Sequence, residues 1–534
     1  MPGLGSNFWA PKAALLLVAI PPGLLVLGRA VLRRDHAASA ATAFPAACTV
    51  STLLADDRVA SLVGLHDADG GLLFIFACVG AWALAREMSS SGRRLVPPAV
   101  LLGIAVTSAV AWLQMTVGLS GNGLEPWGGS RAAALQGNPV FLGALASAAL
   151  CLAITWMPLR TRPWLRAGLV VLYAGAIQLS GSRVALVPVV LVLGWALVRL
   201  GWRHALVLIF AVGLGVWAAP ALATTDNAAT SRADASSADL GTRLDIWAVG
   251  AHAFADHPVF GAGPARFRAV ASPRWTLALA RAHGPDVLLL DGHDVAVEYL
   301  VTTGIVGALL GALWLALALR GARGALLWVA GALAVSWLVQ PQGVDTTPLL
   351  MIAVGAAGLA TGPGPGEPPR SPRWRSWLAI SLLPGLLAGG WLLVGERQLS
   401  LGENNSKSAL HRADQMIGFF PVVGATATEI DINAGLMGDE HAQQVAIAQA
   451  RTVAEQAPSR PDWWNRLGEV EGEWGSKAAA HAAFARALAL NPWSQRALRG
   501  LYLVSGQQGD RNAQRRYRAQ LCQLSKSVCR EASG

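Results

Sequence analysis

A chain of 534 residues with 53% hydrophobic residues, only 14% charged residues and a net charge of +10 lacks the make-up of a soluble globular protein, in which about a quarter of residues are charged. The mean hydropathy of +0.44 comes from long apolar runs, and the positive surplus lies in short connections between them. That distribution excludes a basic nucleic-acid-binding face, and no nucleic-acid partner is expected.

In chain order, apolar runs occupy 12–32, 37–55, 70–85, 95–118, 138–157, 164–180, 183–199, 203–222, 295–319, 324–340, 347–361 and 377–395. Each approaches the roughly 20 residues a helix needs to cross a bilayer. Backbone groups in lipid must be satisfied internally, and the alternation a closed barrel would show is missing, so the runs predict about twelve helices. The expected fold class is all-α: a polytopic helical membrane protein with a C-terminal α-helical repeat domain. The second and third runs are the weakest, because Asp56, Asp57, His66, Asp67 and Asp69 crowd the connection between them. Arginines cluster in alternate connections: Arg29, Arg33 and Arg34; Arg86, Arg93 and Arg94; Arg160, Arg162 and Arg166; Arg199 and Arg203; Arg320 and Arg323; Arg370, Arg373 and Arg375. Basic short loops mark the cytoplasmic side. With twelve spans all six clusters share that side, and the 223–294 segment and the C-terminal domain fall outside the cytoplasm. Residues 12–32 lack a small-residue cleavage site and read as a retained first span.

The division expected is a multi-span domain over 1–360 with its external loop at 223–294, a Pro/Gly/Arg-rich cytoplasmic linker over 361–376, a last span at 377–395, and an extracytoplasmic domain over 396–534. Within that last domain, Trp464, Leu467 and Gly468, then Ala480 and Phe484, then Ala487 and Pro492, follow the tetratricopeptide pattern. One 34-residue step upstream lie Ala446, Ala450 and Pro458, as a repeat array requires. Such a domain either binds a protein partner or caps the membrane domain. Cys48, Cys78 and Cys151 lie in apolar runs and read as packing residues. Cys522 and Cys529 stand close enough in the chain for a disulfide, with two separate thiols the alternative.

Three polar stretches interrupt the pattern on the external side. Ser180-Gly181-Ser182-Arg183 opens a span. Arg243 and Trp247, then His257-Pro258 with Gly261, Gly263 and Arg266, lie in the loop. Asp291-Gly292-His293-Asp294 precedes Glu298, Gly304 and Gly307 in the next span. Singly, each has a structural explanation: an arginine anchoring a span end, a solvated histidine, glycines in a turn, and glycines packing helices together.

Their order resembles the family of O-antigen ligases, Wzy-type polymerases and related bacterial lipid-linked glycan transferases. The family's S-R at a span start, R-x3-W, H-P-x-x-G-x-G, and histidine followed by E-x5-G-x2-G match Ser182-Arg183, Arg243 with Trp247, His257 through Gly263, and His293 with Glu298, Gly304 and Gly307. An upstream arginine before G-N-P matches Arg131 and Gly137-Asn138-Pro139. Asp294 and Val140 depart from it, since the family carries asparagine at both. The resemblance covers roughly 100–360. It implies a multi-pass protein of the bacterial inner membrane, acting outside the cytoplasm as a metal-independent inverting glycosyltransferase with no cofactor. The donor would be a glycan on a polyprenyl diphosphate, and the acceptor a hydroxyl on a lipid, polymer or protein. Arginine forks suit a diphosphate and stay charged at any working pH, so Arg183 and Arg243 are the candidates for stabilising the leaving group. His293 is the candidate general base. Arg131, Asn138, Trp247, Arg266 and Glu298 are candidate substrate-binding residues, with Glu298 expected to orient an arginine and Gly304 and Gly307 to serve helix packing. The competing readings are a lipid-linked oligosaccharide flippase, which would bury charges within several spans, and a non-catalytic envelope scaffold.

Overall fold

The twelve apolar runs each become a helix in the computed structural model, which describes residues 9–66, 70–119, 124, 130–223, 236–287, 291–340, 342–358, 372–403 and 406–531. The first half contains α1 (Ala10–Leu32), α2 (His36–Leu54), the short α3 (Arg58–Val63), α4 (Leu72–Arg86), α5 (Ser90–Thr116), α6 (Pro139–Thr155), α7 (Pro163–Ser180), α8 (Leu186–Leu200) and α9 (Trp202–Leu222). The stretch between α9 and α13 is itself helical over its described residues, with α10 (Ser236–Asp256), α11 (Phe267–Ala271) and α12 (Leu277–His283). Then come α13 (Val295–Leu319), α14 (Leu326–Ser336), α15 (Thr347–Ala357) and α16 (Pro372–Glu403). No β-strand occurs among the described residues. The chain is a polytopic helical membrane protein.

Six helices, α1, α2, α5, α9, α13 and α16, have the length and apolar composition to cross a bilayer, while α4, α6, α8, α14 and α15 are apolar but shorter. Capping residues set several of these ends: Asp35 accepts the Ala38 amide at the start of α2 and Asp57 the Ala60 amide at α3, satisfying donors that a helix start leaves orphaned. The central helix is α6, buried continuously from Leu142 to Thr155. An all-round apolar surface is what a helix enclosed by other helices needs. Around it, α1, α8, α9 and α16 turn residues such as Leu15, Val190, Phe210 and Leu387 outward, an apolar exterior suited to lipid.

The connections separate into two layers. In one, Arg86 pairs with Asp35 at 2.7 Å, Arg29 lies over the Trp374 ring, Arg93 donates to the Gly358 carbonyl, and the Arg323 amide donates to Ala357. In the other, Lys12 pairs with Asp345 at 2.5 Å, His66 with Glu396 at 2.8 Å, and Asp57 with Arg266 at 3.3 Å. The first layer is the arginine-rich set. The two sets come from alternate connections along the chain.

The last membrane helix is longer than read from sequence: α16 begins at Pro372, inside the expected linker, and continues past 395 to Glu403. The rest of that linker, 361–371, and Asp67, Asp69, Asp226 and Asp234 lie outside the described residues. Beyond α16 stand α17 (Lys407–Ile417), α18 (Pro421–Leu436), α19 (Glu440–Gln456), α20 (Pro461–Trp474), α21 (Lys477–Leu490), α22 (Gln495–Gln507), α23 (Arg511–Leu524) and α24 (Lys526–Glu531). From α18 to α23 each helix packs on the next. Close approach needs small residues at the crossings, and both Gly468 and Gly500 lie against the Phe484 ring. Cys522 and Cys529 form a disulfide, and Cys48, Cys78 and Cys151 are buried thiols.

This array sits on the α10–α12 loop. Ile246, Val249, Phe267, Trp275 and Leu279 of the loop share one apolar core with Phe484, Leu498, Leu501, Tyr517 and Leu521 of the array. At about 1.5–3 kcal/mol for each large side chain buried, that core holds the loop in place. At its edge, the Ser494 hydroxyl donates to Asp286 at 2.6 Å and Asn491 donates to the Pro285 carbonyl at 2.8 Å.

Candidate active site

Within α13, Gly304 adopts φ +66° and ψ −174°, which breaks the helix. A break strands backbone groups, and each one buried without a partner costs about 1–3 kcal/mol. The His257-Pro258-x-x-Gly261-x-Gly263 stretch takes them up. Ala262 and Gly263 amides donate to the Val301 and Thr302 carbonyls at 3.0 and 2.9 Å, while Ile305 and Val306 amides donate to the Pro258 and Val259 carbonyls at 2.9 and 3.2 Å. The Ser51 hydroxyl adds a bond to Thr302 at 2.9 Å. A side chain is impossible where these backbones meet: a Cβ on Gly261 would stand 2.4 Å from the Thr302 carbonyl carbon, and one on Gly304 would stand 2.3 Å from the Val259 oxygen. Gly304 is therefore a break point that receives the loop, correcting the expectation that it packs helices.

At the start of α13, Asp294 caps the helix by accepting the Ala296 and Val297 amides at 2.8 and 3.1 Å. An asparagine caps equally well, so the departure from the family pattern here leaves the local fold unchanged. Just before it, His293 stands at φ +52°. Asp291 holds it twice, accepting the His293 amide at 2.9 Å and contacting Nδ1 at 2.8 Å. The ring is partly exposed, with 39% of its side-chain surface open. Glu298 is buried and accepts the Gly292 amide at 2.9 Å. Its partner is thus the backbone that presents His293 rather than an arginine.

The segment 337–346, which sequence reasoning assigned no role, gathers the other elements. The Trp337 carbonyl accepts the Val295 amide at 2.9 Å, and the Val339 carbonyl accepts from Arg243 at 3.3 Å. Arg243 is presented by α10, which packs on α13 where Gly250 meets Val297. Further along, Gly343 lies against the ring of Phe141, at the start of α6, and Gln342 accepts from the Tyr299 hydroxyl at 2.7 Å. Asn138 caps α6 by accepting the Val140 amide at 2.8 Å. One turn on, Gly143 leaves room for Ser180 and Ser182, and Arg131 donates to the Ser180 carbonyl at 2.7 Å. Arg183 follows, exposed at its surface.

Two groups therefore flank the 337–346 segment: Arg243 with His293, and Arg131 with Asn138 and the Ser182-Arg183 turn. Trp247 is half-buried, and its indole nitrogen finds no hydrogen-bond partner. Arg266 stands apart from both groups, buried and paired with Asp57; burial lowers its pKa, opposed by Asp57 and Asp56. Asp291 is the functional candidate that sequence reasoning passed over. Its signal was present, because an aspartate two residues before a loop residue commonly accepts that residue's amide.

Residues 168–312 match the family model described as O-Antigen ligase. The chain carries an O-antigen ligase family domain. No curated protein matches the chain at a significant level. The ligase domain runs from α7 to the middle of α13 and includes Arg183, Arg243, Trp247, His257, His293, Glu298 and Gly304. Arg131, Asn138 and the 337–346 segment lie outside the matched residues. A domain of this family supports a membrane enzyme of the glycan-transferring ligase and polymerase type.

Proposed function

We propose that this protein transfers a glycan from a polyprenyl diphosphate carrier to an acceptor hydroxyl at the extracytoplasmic face of the bacterial inner membrane, with inversion at the transferred sugar. The observation that carries the reading is the Asp291–His293 pair at the start of a helix held to the Trp337 carbonyl, two residues from the Val339 carbonyl that receives Arg243. Asp291 engages Nδ1, which leaves Nε2 to take the proton from the attacking hydroxyl. A paired carboxylate stabilises the imidazolium that forms, and a base so held contributes about 10²–10⁴-fold to rate. As the sugar departs, charge grows on the diphosphate. Arg243 and Arg183 meet it with guanidinium donors, and Arg131 supplies a third cation on the same side. The arginines thus neutralise the leaving group in the role that a recruited metal ion would otherwise take. The Cys522–Cys529 disulfide favours an extracytoplasmic C-terminal domain, because such bonds persist in oxidising compartments. That domain, read as a tetratricopeptide-like array, steadies the loop and is open to a protein partner on its other face.

The test is genetic and chemical. A strain lacking the protein is complemented with wild type, His293→Ala or Arg243→Ala at matched membrane levels, and carrier-linked and surface glycans are profiled. Wild type restores the surface product, while both variants leave carrier-linked glycan accumulated. Full complementation by both variants removes the catalytic assignment.

A further inference from the structure

Arg268 is 7% exposed, and its Nε is buried without a hydrogen-bond partner. Among the described residues no hydrogen bond or ion pair reaches its guanidinium. The neighbouring acids are already engaged: Asp57 with Arg266 at 3.3 Å and Asp462 with Arg460 at 2.5 Å. Asp462 acts on Arg268 only through its charge, and no carboxylate hydrogen-bonds to it. Burial, with Arg460 adding to it and Asp462 opposing, brings the Arg268 pKa down to about 10. It still carries its charge at neutral pH. A buried, unpaired cation is costly unless something meets it.

The space beside it is a cavity of about 70 Å³ whose polar lining is Arg266, Arg268, Arg460, His66, Gln456 and Ser459, with Asp57, already paired with Arg266, as its one carboxylate. Val63, Phe419 and Phe420 form one wall of this cavity, and the same three residues line a second cavity of about 280 Å³. That second cavity lies between α1, α4 and α16, and its lining is almost wholly apolar, from Leu16, Leu17, Leu73, Phe74, Trp391 and Leu392. A small basic cavity thus adjoins a larger apolar one between membrane helices. Neither cavity is lined by Arg131, Arg183, Arg243 or His293, so the pair lies apart from the candidate active site.

We propose that these adjoining cavities bind a lipid with a phosphate headgroup, the phosphate on Arg268 and the chain between α1, α4 and α16. A phosphate oxygen supplies the acceptor that Arg268 lacks, with Ser459 and Gln456 placed to add neutral donors. The inference does not depend on transferase activity.

The test is ligand-dependent thermal unfolding of the full chain in neutral detergent micelles. The probes are dihexanoyl phosphatidic acid, dihexanoyl phosphatidylcholine and inorganic phosphate. Phosphatidic acid raises the melting temperature with a midpoint about tenfold or more below either comparison, since it alone combines chain and anionic headgroup. Arg268→Met weakens that response by about tenfold, the effect of losing a charge-assisted hydrogen bond. Ala388→Trp, at an exposed position lining the apolar cavity, weakens the response to phosphatidic acid and leaves inorganic phosphate unchanged. If Arg268→Met does not fold, Arg460→Gln replaces it, with a weaker response expected. An unaltered response in the arginine variant overturns the site. Equal responses to phosphatidic acid and phosphatidylcholine overturn the role of the anionic headgroup. Inorganic phosphate matching phosphatidic acid overturns the lipid and leaves a free oxyanion as the ligand.

Discussion

His293 is held by Asp291 through both its backbone and its ring, so the two residues separate base chemistry from base positioning. His293→Ala lowers turnover by about 10²–10⁴-fold, the contribution of a positioned general base. Asp291→Asn keeps the amide bond and loses the carboxylate charge, so turnover falls while KM for the carrier-linked donor stays near wild type. Steady-state kinetics with purified donor and acceptor separates these effects, and a rise in KM alone for Asp291→Asn refutes the positioning role. A second residue bears on stability. Asp345 is buried against Lys12 at 2.5 Å, and burial raises its pKa from 3.8 to about 6, opposed by Lys12. A folded-state pKa above the unfolded value favours the fold at low pH. The contribution is full below about pH 4 and is lost as pH rises through about 6. Relative to Asp345→Asn, the wild-type protein is therefore less stable at pH 7 than at pH 4 by at most about 3 kcal/mol. Paired melting curves across that range measure it, and parallel curves for the two proteins contradict it.

At the scale of elements, the join between α13 and the 257–263 stretch controls presentation of the site. Gly304→Ala places a methyl group where the Val259 oxygen already sits and forces a left-handed conformation on an L-residue, which alone costs about 1–2 kcal/mol. The variant should lose at least about 2 kcal/mol of stability and most of its activity, read by melting temperature and product formation together. Gly307→Ala is the contrast. Its added methyl crowds Oγ1 and Cβ of Thr303 one turn back, but no left-handed backbone is imposed there, so a smaller loss is expected. Equal losses at the two positions would mean that the break has no special role. Two stretches, H-P-x-x-G-x-G and G-x-x-G, were legible in the sequence as separate motifs. That one completes the hydrogen bonds of the other was not, because about 40 residues separate them and no local pattern encodes such a pairing.

For the molecule as a whole, the C-terminal array and the α10–α12 loop share one apolar core, so the array is part of the site's support. Removing residues 461–531 exposes Ile246, Phe267 and Leu279 of the loop, which form part of that core. Limited proteolysis of membranes should then cut within 236–287, where the intact protein resists. Protection that survives the truncation contradicts the supporting role. Asp286 reports on the same interface. Burial raises its pKa, against the lowering influence of Ser494 and Arg496, and it anchors the start of α22 through the Ser494 hydroxyl and the Arg496 amide.

The apolar runs, the alternation of arginine clusters and the spacing of polar motifs determined the helical membrane fold and the family to which the site residues point. Those features follow from local rules: what a backbone must do in lipid, and where basic residues settle. The tertiary structure decided what depends on distant contacts. It turned the loop before α13 into helices cored by the array, set Asp291 on His293, gave Arg266 to Asp57, and drew the 337–346 segment between Arg243 and α6. Side-chain partners separated by tens or hundreds of residues are fixed by packing and charge pairing in three dimensions, to which periodicity along the chain is blind.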